Sequence, residues 1–245
     1  MNIAVLGLKH PFSPYARVSQ VPTCAVRDQL VGIFKKWGKP KAFRVDNGEP
    51  FGSADPSTTP ELALWLIGYG IHVIWNKPGC PQQNGKVERN QSTSRRWSEI
   101  LKCADFQVAQ KKLDEAASIQ RDDFPVSRLK DKTRKEVFEQ IYNIARPWNE
   151  QDFDANRVYD FLKKKKYIRK VSSNNQINHF GYKAGIGAPY KGQYVSLILE
   201  ITPQAQQEPT LAWLVYDATG KFIKKIDASY LSKQRLLNLN VMSKN

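Results

Sequence analysis

The 245-residue chain carries 38 Lys and Arg against 23 Asp and Glu, a formal charge of +15 with a pI near 9.7, which favours a polyanionic partner. Its length accommodates one substantial core plus a small second domain. Cys24, Cys80 and Cys103 are odd in number and form no close-spaced pair, so they argue against a disulfide framework or zinc knuckle and for reduced thiols in a cytoplasm; a membrane span and a signal peptide are not indicated.

In chain order, Ile3-Ala4-Val5-Leu6 and Tyr15 to Val21 read as two strands of a hairpin around His10-Pro11 and Ser13-Pro14. A helix follows from Thr23, its apolar stripe Val26, Leu30, Ile33, Phe34 and Trp37, ended by Gly38 and Pro40. Asp28 lies roughly opposite that stripe and should face solvent. Ala42 to Val45 is a short strand with Asp46 at its exit, where sites of open α/β sheets gather. Gly52, Asp55, Pro56 and Ser57 read as loop. Thr58-Thr59-Pro60-Glu61 offers a capping box for a helix through Ile67 that stops at Gly68-Tyr69-Gly70, and Ile71 to Trp75 is a further strand.

Asn76 to Asn84, with two prolines and Gly79, is a polar loop leading into a basic helix after Gly85. On that helix Glu88, Ser92, Arg95 and Glu99 share a face, widened by Lys86, Arg89 and Arg96. The alternative for this face is a solvated helix with ordinary ion pairs.

The words Val45-Asp46-Asn47-Gly48 and Pro81-Gln82-Gln83-Asn84-Gly85-x-x-Glu88-Arg89, in this order, resemble the catalytic core of DDE transposases of the retroviral-integrase type, over about residues 3 to 100. Each word alone is weak, since Asp-Asn-Gly is equally a turn. The 41 residues between Asp46 and Glu88 exceed the spacing common in that family, and the loop around Gly52 to Pro56 accounts for the extra length. The resemblance implies a ribonuclease H-like fold and polynucleotidyl transfer. It implies that Asp46 and Glu88 bind Mg²⁺ or Mn²⁺, hard cations suited to carboxylate oxygens, and that Asn47, Gly48, Gln83, Asn84 and Gly85 shape the loops beside them. It also implies transposon ends and target DNA as partners, with Lys86, Arg89, Ser92, Arg95 and Arg96 on the phosphate backbone, and a homo-oligomer assembled on DNA. A bacterial cytoplasmic, nucleoid-associated location follows from the same reading.

Family members carry a further aspartate on the first strand, and the only acidic residue before Asp46 here is Asp28. The expectation is therefore an integrase-type core truncated at its N-terminus, lacking its first strand and first catalytic acid. Two carboxylates hold two cations poorly, so such a chain should catalyse weakly or not at all, and its interrupted sheet should be unstable.

Further along, Asp105 to Arg121 reads as a helix with Val108, Leu113 and Ala116 inward, broken at Asp122-Asp123-Phe124-Pro125. A second helix opens at the capping box Thr133-Arg134-Lys135-Glu136. Residues 121 to 155 carry seven basic and eight acidic residues, a near-neutral connector, and Pro147 to Asp154 reads as linker. From Arg157 to Asn245 fifteen Lys or Arg face five Asp or Glu, so two thirds of the excess charge lies in the last third.

Strand-like runs there are Tyr167 to Val171, Ile177 to Lys183, Tyr194 to Ile201, Leu211 to Tyr216 and Phe222 to Ile226, with turns at Ser173-Asn174-Asn175 and Asp217-Ala218-Thr219-Gly220. Five short strands suggest a small β-barrel, similar to the DNA-gripping C-terminal barrel of many transposases. Lys163, Lys164, Lys165, Lys166, Arg169 and Lys170 form its candidate phosphate patch, with a flexible basic tether as the alternative. Tyr167 and Tyr182 could stack on bases but fit a barrel core better. His10, His72 and His179 read as structural.

The expected organisation is a partial integrase-like core over 1–104, a helical connector over 105–155, a small basic β-barrel over 156–232 and a tail over 233–245. Two other functions compete with the recombinase. One is a non-enzymatic DNA-binding relic or inhibitor of an intact transposase. The other is a ribonuclease H-type nuclease, disfavoured because the Pro81 to Arg89 word resembles integrases. DNA sequence preference, target choice and oligomeric state are not written in these residues.

Overall fold

A computed structural model of the chain describes residues 23–52, 58–83, 85–139 and 144–241. The hairpin read from Ile3 to Val21 lies outside them. The described residues are mixed α/β, and they divide into two compact units, 1–40 with 76–148 and 41–75 with 149–245. Among them no helix is long and apolar enough to cross a membrane.

The first unit is helical. Helix α1 (Thr23–Trp37) buries Leu30 and Phe34, while Asp28 stays exposed beside Arg27 at 2.8 Å. Phe34 meets Trp148 at 5.7 Å between ring centroids, and the Lys39 N–H donates to the Arg146 carbonyl at 2.7 Å. Helices α3 (Gly85–Ser98) and α4 (Phe106–Asp122) pack together. Asp105 caps α4, accepting from the Val108 N–H at 2.8 Å. Its buried stripe is Ala109, Leu113, Ala116 and Gln120; Val108, expected inward, is 40 % exposed because 109, 113, 116 and 120 take the i, i+4, i+7, i+11 positions. Opposite them α3 offers Ser94 and Ser98, with Gln120 Nε2 donating to Ser94 Oγ at 3.2 Å. The Thr133–Glu136 capping box forms as read, but α5 is a single turn, Arg134–Val137.

In the second unit β1 (Ala42–Val45) pairs in parallel with β2 (His72–Trp75), Ala42 opposite His72 and Val45 opposite Trp75. Helix α2 (Glu61–Gly68) connects them. Leu62, Ala63, Leu64, Trp65 and Leu66 are all buried, the pattern of a helix covered on every side. The capping box expected at Thr58 to Glu61 does not form: Pro60 is the N-cap and makes no side-chain cap. Thr58 Oγ1 instead accepts from Arg169 at 3.0 Å, and Thr59 is buried.

At the other end of α2, a Cβ on Gly68 would come within 2.2 Å of the Phe153 ring, so only glycine permits that approach. The Gly68 carbonyl accepts from the Asp154 N–H and from Arg157, both at 3.0 Å, which satisfies an end that helices otherwise leave open. The stretch read as linker is thus fastened to α2. Helix α6 (Ala155–Lys163), absent from the sequence reading, follows it with Asp154 as N-cap and buries Ala155, Val158, Tyr159 and Leu162.

Six strands complete the unit. An antiparallel sheet in the order β3-β6-β7-β8 is made by Tyr167–Lys170, Tyr194–Thr202, Thr210–Tyr216 and Phe222–Asp227. A separate hairpin pairs β4 (Gln176–His179) with β5 (Tyr182–Gly185). The run read as one strand from Ile177 to Lys183 is therefore two, turning through Phe180 and Gly181 at φ 51° and 80°. Among the described residues these strands do not close into a barrel.

The inner face of the sheet presents Tyr167, Val195, Leu197, Leu199, Trp213 and Val215, all buried. His179 and Phe180 pack on Trp213 with Tyr167, at centroid separations from 4.5 to 6.4 Å. The segment expected as tail forms α7 (Lys233–Leu237) and buries Leu236, Leu239 and Val241, with α7 against α2.

Candidate functional site

Alternation along β1 buries Phe43 and Val45 and leaves Ala42 and Arg44 out, so the chain leaves the strand with Asp46 exposed beyond its carboxyl end. Asp46 Oδ1 accepts from the Gly48 N–H at 3.2 Å. The Gly48 carbonyl then takes the Phe51 and Gly52 N–H groups at 3.1 and 2.7 Å. A Cβ on Gly52 would sit 2.0 Å from the Asn47 carbonyl oxygen, so a side chain there would break this tight return. Phe51 closes the loop against the strands, its ring 5.7 Å from Phe43 and its carbonyl accepting from Trp75 Nε1 at 2.9 Å. The Asn47–Gly48 turn therefore holds one carboxylate oxygen of Asp46 and leaves the other to solvent.

Glu88 is exposed in the first turn of α3, with Arg89, Ser92, Arg95 and Arg96 also exposed along the helix and Lys86 at its second position. Glu99 departs from the expected face: it is left-handed at φ 44°, off the end of α3, and its carboxylate holds Lys102 at 2.8 Å. That pairing lowers the pKa of Glu99 and raises that of Lys102. Ahead of the helix, Gln83 Oε1 accepts from the Lys77 N–H at 3.1 Å and ties down the loop. Gly85 has open space where a Cβ would be, and Asn84 lies outside the described residues.

Asp46 belongs to one unit and Glu88 to the other. Among the described residues no group of three or more His, Cys, Asp or Glu side chains comes together that could hold a metal ion.

The basic segment after α6 divides into two kinds of cation. Lys163, Lys164, Lys166 and Lys170 are exposed. Lys165 turns inward, its Nζ 4.4 Å from the Phe161 ring centroid and 5.4 Å from that of Trp75, and burial pushes its pKa down.

Arg169 requires a correction. It is 7 % exposed and donates to the carbonyls of Asn178 at 3.0 Å and Ile168 at 2.8 Å and to Thr58 Oγ1, so it pins the hairpin to β3 and cannot reach a phosphate. Its Nη2 lies 2.7 Å from His179 Nδ1, and because guanidinium only donates, Nδ1 accepts and the neutral ring carries its proton on Nε2. Tyr167 is buried and unavailable for stacking; Tyr182 stacks on Tyr230 at 4.1 Å instead.

No protein-family model matches this chain.

The residues missed by sequence reading lie on the outer face of the four-stranded sheet. Alternation sends Ile168, Tyr194 and Ile198 outward beside the already named Lys170, the register shift between Val215 and Tyr216 brings Phe222 opposite Tyr216, and Tyr194 and Phe222 are 58 % and 51 % exposed. The signal was the period-2 pattern of β3 and β6, which places 168 with 170 and 194 with 198 on one side.

Proposed function

We propose that the chain is a DNA recombinase of the transposase and integrase type, with a ribonuclease H-like core and the sheet and hairpin as a partly open barrel that helps grip DNA. The observation that carries this reading is local to each acid: Asp46 is exposed beyond the end of a parallel strand, and Glu88 is exposed in the first turn of a basic helix. Arg89, Arg95 and Arg96 on the same exposed helix supply charge for a phosphate backbone. In this proposal Asp46 and Glu88 are the ligands for Mg²⁺ or Mn²⁺, transposon ends and target DNA are the partners, and copies of the chain assemble on them in the nucleoid.

A second reading, a DNA-binding relative without catalysis, draws support from the acid that precedes Asp46 in the sequence: it is Asp28 alone, and Arg27 holds its carboxylate at 2.8 Å on α1. One comparison separates the two. The full chain, Asp46→Asn and Glu88→Gln are assayed for nicking and strand joining of plasmid DNA in Mg²⁺ and Mn²⁺, with duplex binding measured in parallel. With its first catalytic acid missing, the recombinase reading expects weak wild-type activity that falls to background in both variants with binding retained. Equal background from all three with binding intact leaves the non-catalytic reading. Absence of duplex binding removes both.

A further inference from the structure

The outer face of the β3-β6-β7-β8 sheet combines two properties that separately would be ordinary. It is ringed with exposed aromatic and aliphatic side chains, and its cations stand among them. The register puts Ile168, Ser196, Tyr216 and Phe222 in one row across all four strands, about 14 Å wide at the usual strand spacing, with Ser196 itself buried and Ile168 and Phe222 exposed at the two ends. Tyr216 and Phe222 meet edge to face at 5.9 Å. On the neighbouring pair of β3 and β6, Lys170 sits directly opposite Tyr194 with its Nζ 5.9 Å from the ring centroid. Two carboxylates share this side, and both are engaged: Glu200 pairs with Lys225, and Asp227 accepts from the Ser229 hydroxyl at 2.6 Å.

We propose that this face is a platform for a single-stranded polynucleotide, whose unpaired bases stack on Tyr194 and Phe222 while its phosphates meet Lys170. Stacking needs a free base face, which a duplex hides between its own pairs, so rings protruding from a sheet face select unpaired strand over helix. The surroundings suit a polyanion, since fifteen Lys or Arg face five Asp or Glu from Arg157 onward. A second protein is the poorer fit, because the centres of protein interfaces are depleted in lysine and here Lys170 lies over the most exposed ring. The inference deepens the DNA-binding part of the proposed function and does not depend on Asp46 or Glu88.

The test is fluorescence anisotropy of the full chain with a labelled oligothymidylate of about 16 nucleotides and with a duplex of the same length, at matched salt. Tyr194→Ala and Phe222→Ala should each weaken the single strand by about 5- to 150-fold and move duplex binding by less than about twofold, with Tyr194→Phe restoring the single-strand affinity. Circular dichroism melts of the variants should match wild type, since both rings are exposed.

The proposal is overturned by equal losses on the two DNAs, by an unchanged single-strand affinity, or by light scattering in which the variants dissociate an oligomer while single-strand binding persists. Duplex binding and nicking that survive alongside an unaltered single-strand affinity would sink this inference alone. Missing duplex binding with ring-dependent single-strand binding would sink the recombinase reading alone.

Discussion

The two units are stabilised in different ways. In the first, the buried apolar side chains among the described residues are Leu30, Phe34, Cys103, Ala109, Leu113 and Ala116, and the α3–α4 contact runs through Ser94, Ser98 and Gln120. Large apolar groups such as Leu101, Ile119, Phe124 and Phe138 remain exposed there. In the second, α2 is covered on all sides and Trp65, Trp213, Tyr167 and Phe180 are almost fully buried. Burial of apolar area is the main favourable contribution to folding, so the second unit should hold its structure where the first opens. The arginines of α3 thus ride on the less stable unit, and the exposed rings of the sheet on the more stable one.

The largest expected effect is at Trp213, 1 % exposed, with Nε1 donating to the Tyr230 hydroxyl at 2.7 Å. Trp213→Ala should cost about 3–5 kcal/mol and expose the amides of β6 and β7 to hydrogen exchange, leaving α4 unchanged. A matched pair sharpens the contrast. Leu197→Ala, within the sheet core, should cost about 4 kcal/mol by denaturant titration, and Leu113→Ala, on the buried stripe of α4, about 2 kcal/mol. Equal costs would mean that the first unit is as well packed as the second.

Alkaline titration provides another separation. Burial raises the phenol pKa values of Tyr159 and Tyr167 to about 12, and that of Tyr230 in the same direction. An unfolded tyrosine ionises near its ordinary value of about 10, so unfolding releases these protons earlier. The stabilisation is complete below about pH 10 and is lost as pH rises through about 12. Absorbance at alkaline pH should show late-ionising phenols that appear together with loss of the β signal.

Sequence legibility follows the same division between local and tertiary causes. Helix α1, strand β1 and the Thr133 capping box are local patterns and form where the residues indicate. Helix α6 was missed although Ala155, Val158, Tyr159 and Leu162 keep i, i+3, i+4, i+7 spacing, because Asn156 and Arg157 made it look like a continuation of the polar linker. The turn at Phe180 was hidden for a tertiary reason: phenylalanine at φ 51° is costly, and it is held there by burial against His179 and Trp213. Arg169 looked like its lysine neighbours, and only the fold of the hairpin over β3 takes it out of solvent. At the candidate site, the exposure of Asp46 and Glu88 could be read from strand exit and helix phase, whereas a shared ion depends on contacts that no local pattern encodes.

Smaller effects belong to the first unit. Thr133→Ala removes the hydroxyl that accepts from the Glu136 N–H, keeps the backbone N–H that donates to the Glu136 carboxylate, and should cost about 1 kcal/mol, read as faster exchange confined to α5. Arg95→Ala should leave stability within about 0.5 kcal/mol of wild type and reduce the logarithmic salt slope of duplex binding by about one unit. An unchanged slope would take Arg95 out of the phosphate contacts.

The proposal that Asp46 and Glu88 share one divalent cation is most directly tested by loading the DNA-bound chain with Fe²⁺, generating hydroxyl radicals and mapping the backbone cuts. The recombinase account predicts cuts at both Asp46 to Gly48 and the start of α3, suppressed together by Mg²⁺ and lost together in Asp46→Asn. Cuts at one segment only, or cuts that Mg²⁺ does not suppress, would contradict it.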